Sequence, residues 1–247
     1  MEIHKHPHHV THKKKFGEYL LEFLMLFLAV FLGFVAENIR ENFTEHHREE
    51  EFMLSLVNDL KLDTSYANGC VRIIDLRILA IDSTLDYFSA HHTVTTVPLS
   101  TIRQMKRSLW DRVFIEHTGT IDQLRNSGGL RLIHNRKIVD SIESYYQQLV
   151  RFAILGRQHY IDNQNRAYDL EGKVYNAFDN AKFYQHSKAT DDTSRMAINS
   201  SYLNEYLNLI LHLKSSALND KKNDMAVTSE ATHLIALIKN QYHFENE

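Results

Sequence analysis

Residues 19–36, YLLEFLMLFLAVFLGFVA, are apolar except for Glu22, and their reading decides that of the whole chain. As a helix this run rises about 27 Å, close to the hydrocarbon thickness of a bilayer. Lys5, Lys13, Lys14 and Lys15 precede it, whereas Glu37, Glu41, Glu45, Glu49, Glu50 and Glu51 outnumber Arg40 and Arg48 just beyond it. Lysine and arginine resist translocation, so the expected arrangement is a single-pass signal-anchor: a cytoplasmic Lys/His-rich tail (1–18), a transmembrane helix (19–36) and an exported remainder. The lipid bilayer is thus the first expected partner. A cleaved signal peptide is the competing reading, because the uninterrupted apolar core begins only at Phe23. Against it stand the bulky Phe34, where a cleavage site needs a small residue, and the helical character of Glu37, Asn38, Ile39, Arg40 and Glu41.

The exported part reads as all-α. Two prolines and eight glycines occur in 247 residues. From residue 52 onward, Phe52, Leu56, Leu60, Ala67, Cys70, Ile74, Ile78, Ile81, Leu85 and Phe88 recur at three- and four-residue intervals, the period of a helix with one buried face. Residues 37–90 are therefore a stalk and first long bundle helix, and 91–247 the remainder of a helical bundle. The β-branched stretch HHTVTTVP (91–98) breaks the pattern, and Ser100 is placed to cap a helix reaching Phe114. Thr120 and Gln123 have capping-box spacing for a short helix that ends at Asn126, Ser127, Gly128 and Gly129. Asn135 opens a long helix over 135–178 whose buried side includes Ile138, Ile142, Tyr145, Tyr146, Leu149, Phe152, Leu155, Tyr160, Ala167, Leu170, Val174 and Phe178. A polar connector, HSKATDDTS (186–194), leads to two last helices near 197–218 and 227–244. No set of alternating strands is visible. The stalk's apolar intervals lack a clean heptad register, so an intramolecular bundle is preferred over a coiled coil between copies.

At about 100° per residue, Ala29, Gly33 and Ala36 fall within about 40° of Glu22 on one face of the membrane helix, with large apolar residues elsewhere. Ala29 and Gly33 have the small-xxx-small spacing that lets membrane helices approach closely, so Glu22, Ala29, Gly33 and Ala36 are the expected helix-association face. Glu22 lies about one turn from the cytoplasmic end and can reach water or a lysine, which is preferred over a proton-coupled role.

Candidates for chemistry are sparse. With 28 basic and 31 acidic residues, the net charge is −3, and no nucleic-acid footprint exists outside the tail. The lone Cys70 excludes an intramolecular disulfide. Of sixteen histidines, His4, His6, His8, His9 and His12 crowd the tail, where imidazoles alone supply no defined metal geometry. His46 and His47 among Glu45, Glu49, Glu50 and Glu51 read as a solvated charged helix. Glu230 and His233 share a helix face, but a carboxylate-bridged dinuclear site needs two such pairs and the chain has one. No zincin, nucleophile-elbow, Walker or dinucleotide motif occurs, so no catalytic residue, metal or cofactor is expected. The segment TIDQLRNSGGLRLI (120–133) is the most distinctive exported feature. Arg125, Ser127, Gly128, Gly129 and Arg131, with Arg136 nearby, form either an anion or partner turn or, the preferred reading, a tight connection returning Leu130, Leu132 and Ile133 to the core. The helix carrying Tyr145, Tyr146, Phe152 and Tyr160 reads as core before it reads as a small-molecule pocket.

Three stretches, HHVTHKKKFGEYLLEFLMLFLAVFLGFVAENIRE (8–41), SGGLRLIHNRKIVDSIESYY (127–146) and LIALIKNQYHFE (234–245), carry a resemblance to an uncharacterised family of single-pass, N-terminally anchored membrane proteins of Bacteroidota. The similarity spans nearly the whole chain and is densest at the anchor. It implies a bacterial inner-membrane protein and assigns no catalytic residue. The leading expectation is a non-enzymatic, membrane-anchored periplasmic helical protein that associates with itself or a membrane-protein partner. A ligand-sensing bundle coupled to a separate membrane partner and an exported His/Glu metalloenzyme are the alternatives.

Overall fold

The computed structural model describes residues 15–185 and 194–244, the side chains at 148–160, 177, 182 and 185 excepted. It is all-α apart from one small pair of strands, and it divides into two compact units, Met1–Glu50 and Glu51–Glu247.

In the first unit, α1 (Phe16–Ala90) begins with the apolar run. Its 18-residue window has a mean hydropathy of 2.4 and none of it is buried, so this helix is long and apolar enough to cross a membrane. Phe23, Phe27 and Phe31 stack at i,i+4 with ring centroids 6.4 and 6.1 Å apart, and Phe27 and Phe31 point away from the Glu22 side of the helix.

The second unit is built around the later part of α1 and around α7 (Ser200–Tyr242). Between them in sequence lie β1 (Thr96–Pro98), α2 (Leu99–Arg107), α3 (Gly119–Ser127), a 3-10 turn (Gly129–Leu132), α4 (Arg136–Ser144), a π-helical turn (Tyr145–Val150), α5 (Arg151–Val174), α6 (Ala177–Gln185) and β2 (Arg195–Ala197). Two apolar cores form. Met53, Leu56, Leu60, Ala67 and Cys70 of α1 pack with Ile121, Leu124, Ile133, Ile138 and Ile142 and with Val227, Ala231, Leu234 and Ile238 of α7. Ile81 and Phe88 pack with Ile102, Met105, Leu170, Val174, Tyr206, Ile210 and Leu213.

α1 runs on to Ala90, as the long helix expected over 37–90 does, and passes through Gly69. A Cβ there would lie 3.1 Å from the Arg112 guanidinium, so glycine makes room for that side chain. Several elements differ from the sequence expectation, each for a local reason. Residues 96–98 form a strand, paired antiparallel with β2. α2 starts after Pro98, not at a Ser100 cap; the Leu99 amide donates to the Ser194 carbonyl at 3.1 Å. It ends at Arg107, short of Phe114. The Thr120/Gln123 capping box does not form. Instead Asp59 of α1 accepts from the Thr120 amide at 3.0 Å, capping α3 from another helix.

Asn135 caps α4 as expected, accepting from the Lys137 amide at 3.0 Å, and Gly128 closes α3 in the left-handed region at φ 70°. The single helix expected over 135–178 is instead α4, the π turn, α5 and α6. The consecutive Tyr145 and Tyr146 are both buried. A π turn holds more residues per turn than an α turn, so neighbouring side chains project closer to the same face. α5 stops where the Asn199 amide donates to the Val174 carbonyl and Tyr175 bridges to Ile198. Phe178, expected inside, is 79% exposed. Lys106 fastens α6: its Nζ pairs with Glu171 at 2.8 Å and lies 5.0–5.3 Å from the ring centres of Tyr175, Phe183 and Tyr184. The two last helices are one, α7, capped by Asn199. Leu149, Phe152, Leu155 and Tyr160 as side chains, and residues 186–193 of the connector, lie outside the described residues.

Candidate functional site

On the apolar segment, Glu22, Ala29, Gly33 and Ala36 are all exposed, and a Cβ at Gly33 would have nothing within 4 Å. Exposure does not single out this face, because none of the apolar run is buried. The histidines and lysines at positions 4–14 lie outside the described residues. His46 places its ring nitrogens 3.5 Å from Glu49 and Glu50. Among the described residues no three His, Cys, Asp or Glu side chains are grouped to hold a metal ion.

The turn after α3 is tightly packed. Arg125 forks onto Glu143 of α4, with Nη2 to Oε2 at 3.1 Å and Nε to Oε1 at 3.4 Å. Gly129 is buried, and a Cβ there would meet Leu124 Cδ2 at 3.0 Å and Ser127 Oγ at 3.1 Å. Ser127, Gly128 and Arg131 are exposed, and the chain beyond them carries Leu130 and Ile133 against the first core.

Sequence reasoning missed the most developed polar constellation. Asp63 of α1 is fully buried. Its Oδ1 accepts from both the backbone amide and the ring Nδ1 of His117, each at 2.8 Å, and its Oδ2 accepts from the Tyr145 hydroxyl at 2.7 Å. The Tyr146 hydroxyl donates to the His117 carbonyl at 3.1 Å. An ionised carboxylate only accepts, so this arrangement assigns a proton to the His117 Nδ1. The His117 side chain is 37% exposed. Burial raises the Asp63 carboxyl above its ordinary range, opposed by the Tyr145 and His117 hydrogen bonds. Burial likewise raises both tyrosine hydroxyls, which therefore act as donors. The π turn begins at the residue that closes this network. A signal was present: Asp63 occupies a core slot in the series Leu56, Leu60, Ala67, Cys70.

Along α1 and α7, charged side chains stand between the residues of the two cores. Arg77, 1% exposed, donates from Nη1 to Asp111 at 3.3 Å and to the Trp110 carbonyl at 3.4 Å. On α7, burial pushes Asp220 up to about 6 and Asp224 up to about 7, with Asp111 adding to both and Arg77 opposing. Burial, then Asp224, raises the Cys70 thiol to about 12, so it is an inert interior group. Outside this layer, Lys221 pairs with Asp75 at 2.6 Å and Lys214 pairs with Asp82, setting α7 antiparallel to α1.

A cavity of about 250 Å³ opens between α4 and α7. It is lined by Asp140, Ser141 and Ser144, by Tyr145, and by Glu230, His233 and Leu234. The Glu230/His233 pair singled out in the sequence thus meets a second carboxylate across the cleft.

The fold is that of an all-α bundle protein with, among the described residues, one helix near its N-terminus long and apolar enough to cross a membrane. No protein-family model, curated protein or solved structure matches the chain.

Proposed function

We propose that this chain is a membrane-anchored, extracytoplasmic helical interaction protein of the bacterial inner membrane. Its tail lies in the cytoplasm, its bulk lies in the periplasm, and it works through association with a second copy of itself. The lysines before the apolar run and the glutamates after it support the orientation. Within the membrane, the contact is the open face of Glu22, Ala29, Gly33 and Ala36.

The observation that carries the reading is an apolar stripe on the exported bundle. Leu211, Leu218 and Met225 repeat every seven residues on α7, and Leu76 and Leu79 lie on α1 beside the Asp75–Lys221 and Asp82–Lys214 pairs. All five are 47–63% exposed. Exposed apolar side chains repeated at this spacing offer a second helix a row of contacts, with Lys214 and Lys221 between them paired to Asp82 and Asp75. The α7 stripe is spaced evenly about Leu218. A two-fold antiparallel pairing of α7 helices thus sets Leu218 on Leu218 and Leu211 on Met225, the self-complementarity that a symmetric dimer requires.

Mass measurement after purification in mild detergent tests this. The wild-type chain is expected as a dimer or higher oligomer, and Leu218→Glu and Gly33→Leu are each expected to shift it toward monomer. A monomeric wild-type chain contradicts the reading. The second reading, a sensing bundle, is favoured by one feature, the cleft between α4 and α7.

A further inference from the structure

We propose that the polar layer between the two apolar cores is a proton-operated joint in α7. With Asp220 and Asp224 protonated, residues 214–226 hold as helix against α1; with both ionised, this stretch opens while each core stays folded. From 214 to 226, α7 gives no side chain to either core, whereas it supplies Leu213 to one core just before this stretch and Val227 to the other just after it. Within it the run NDKKND (219–224) is rich in asparagine and aspartate, which are weak helix formers, so its helicity depends on what it packs against. What it packs against is charge.

Asp224 is the centre of the layer. It is 5% exposed, yet it has no hydrogen bond or ion pair among the described residues. Asp220, one turn earlier on α7, likewise has none and is partly buried. The ionisable groups facing these two acids come from three stretches: Arg77 and the Cys70 thiol from α1, Asp111 from the segment after α2, and each acid from the other on α7. The cations nearby have other partners. Arg77 holds Asp111 and the Trp110 carbonyl, Arg112 lies over the Tyr66 ring at 4.6 Å, and Lys214 and Lys221 pair with Asp82 and Asp75 outside the layer. Three carboxylates thus share one guanidinium, which leaves two negative charges unbalanced, the number that two protons remove. A buried carboxylate without a partner is relieved either by a proton or by opening to water. Burial, then the neighbouring acids, raises Asp220 to about 6 and Asp224 to about 7. The closed form is therefore the protonated one, and the open form gains as the pH climbs through those values. The joint rests on neither the membrane placement nor the association of copies.

Amide hydrogen exchange of the full chain in detergent tests it, compared as protection factors so that the pH dependence of the exchange chemistry cancels. Protection over 214–226 is expected to fall by about tenfold or more between about pH 5.5 and about pH 8, and at the higher pH to lie below that of both cores. Asp224→Asn keeps the shape of the protonated group and carries no charge, so it is expected to abolish most of the fall. Asp220→Asn, a substitution at the less buried acid, is expected to lessen it. Glu205→Gln, at an exposed acid of α7 outside the layer, is expected to change nothing. Protection that does not fall, that at the higher pH equals the protection of the two cores, or that falls as steeply in both asparagine variants overturns the proposal.

Discussion

His117 and Asp63 are joined twice, through the imidazole Nδ1 and through the backbone amide of the same residue, both at 2.8 Å. One carboxylate oxygen thereby fixes both the ring and the main chain of the segment that precedes α3. The other oxygen holds Tyr145 at the opening of the π turn. A buried aspartate placed on a core slot of α1 acts as the organising point for two distant stretches of chain.

Removing that carboxylate leaves three donors without their acceptor, the buried Tyr145 hydroxyl among them. Asp63→Ala is expected to cost about 3 kcal/mol, and Tyr145→Phe, which removes one hydroxyl, about 1 kcal/mol. Urea denaturation of the chain in detergent, followed by circular dichroism, measures both. A loss for Asp63→Ala no greater than that for the exposed Asp122→Ala contradicts the role given to the network.

The acids on α7 give a pH dependence of defined sign. Asp220 and Asp224 hold protons more tightly folded than unfolded, their values rising from 3.8 to about 6 and about 7. Their contribution to stability is complete below about pH 4, and it is lost as the pH climbs through the folded values. The bundle is therefore expected to lose stability between about pH 4 and pH 7, by up to about 1.4 kcal/mol per pH unit for each group. Asp224→Asn should flatten that slope. A stability curve that rises across the window contradicts the burial assigned to these carboxyls.

Three glycines separate three physical roles. Gly128→Ala should cost about 1 kcal/mol because φ is 70°. Gly129→Ala should cost about 1–3 kcal/mol because the new methyl meets Leu124 and Ser127. Gly172→Ala, in a helix with nothing within 4 Å of the new methyl, should stabilise by about 0.5–1 kcal/mol. Thermal unfolding of the three variants should reproduce that order.

The sequence period was enough to read the all-α class and the buried face of α1, because one apolar residue per turn repeats from Leu56 to Phe88. The Asn135 cap and the Gly128 stop were legible because both act within their own helix. What escaped notice depends on partners distant in sequence. Asp59 caps α3 across sixty-odd residues, a distance over which no local pattern operates. The polar run 219–224 looked like a loop, yet Lys221 is held by Asp75 and Asp224 is buried, so α7 continues through it. Asp63 and Arg77 were visible as charges among the core slots of α1, and charge at such a position is the signal that finds the site.

Lys106 provides a test of how α6 is held. Lys106→Met keeps the stem but removes the cation facing Glu171 and the three rings. It is expected to cost about 1–3 kcal/mol and to speed amide exchange in α6 more than in α7. Equal exchange in the two helices contradicts the fastening.

The proposed placement holds the chain in the membrane through residues 19–36 with its bundle outside the cytoplasm. Protease added to intact spheroplasts tests this most directly. The expected result is digestion of the bundle, leaving a short membrane-bound fragment that ends soon after Ala36. Survival of the full-length chain in intact spheroplasts, with digestion only after lysis, contradicts it.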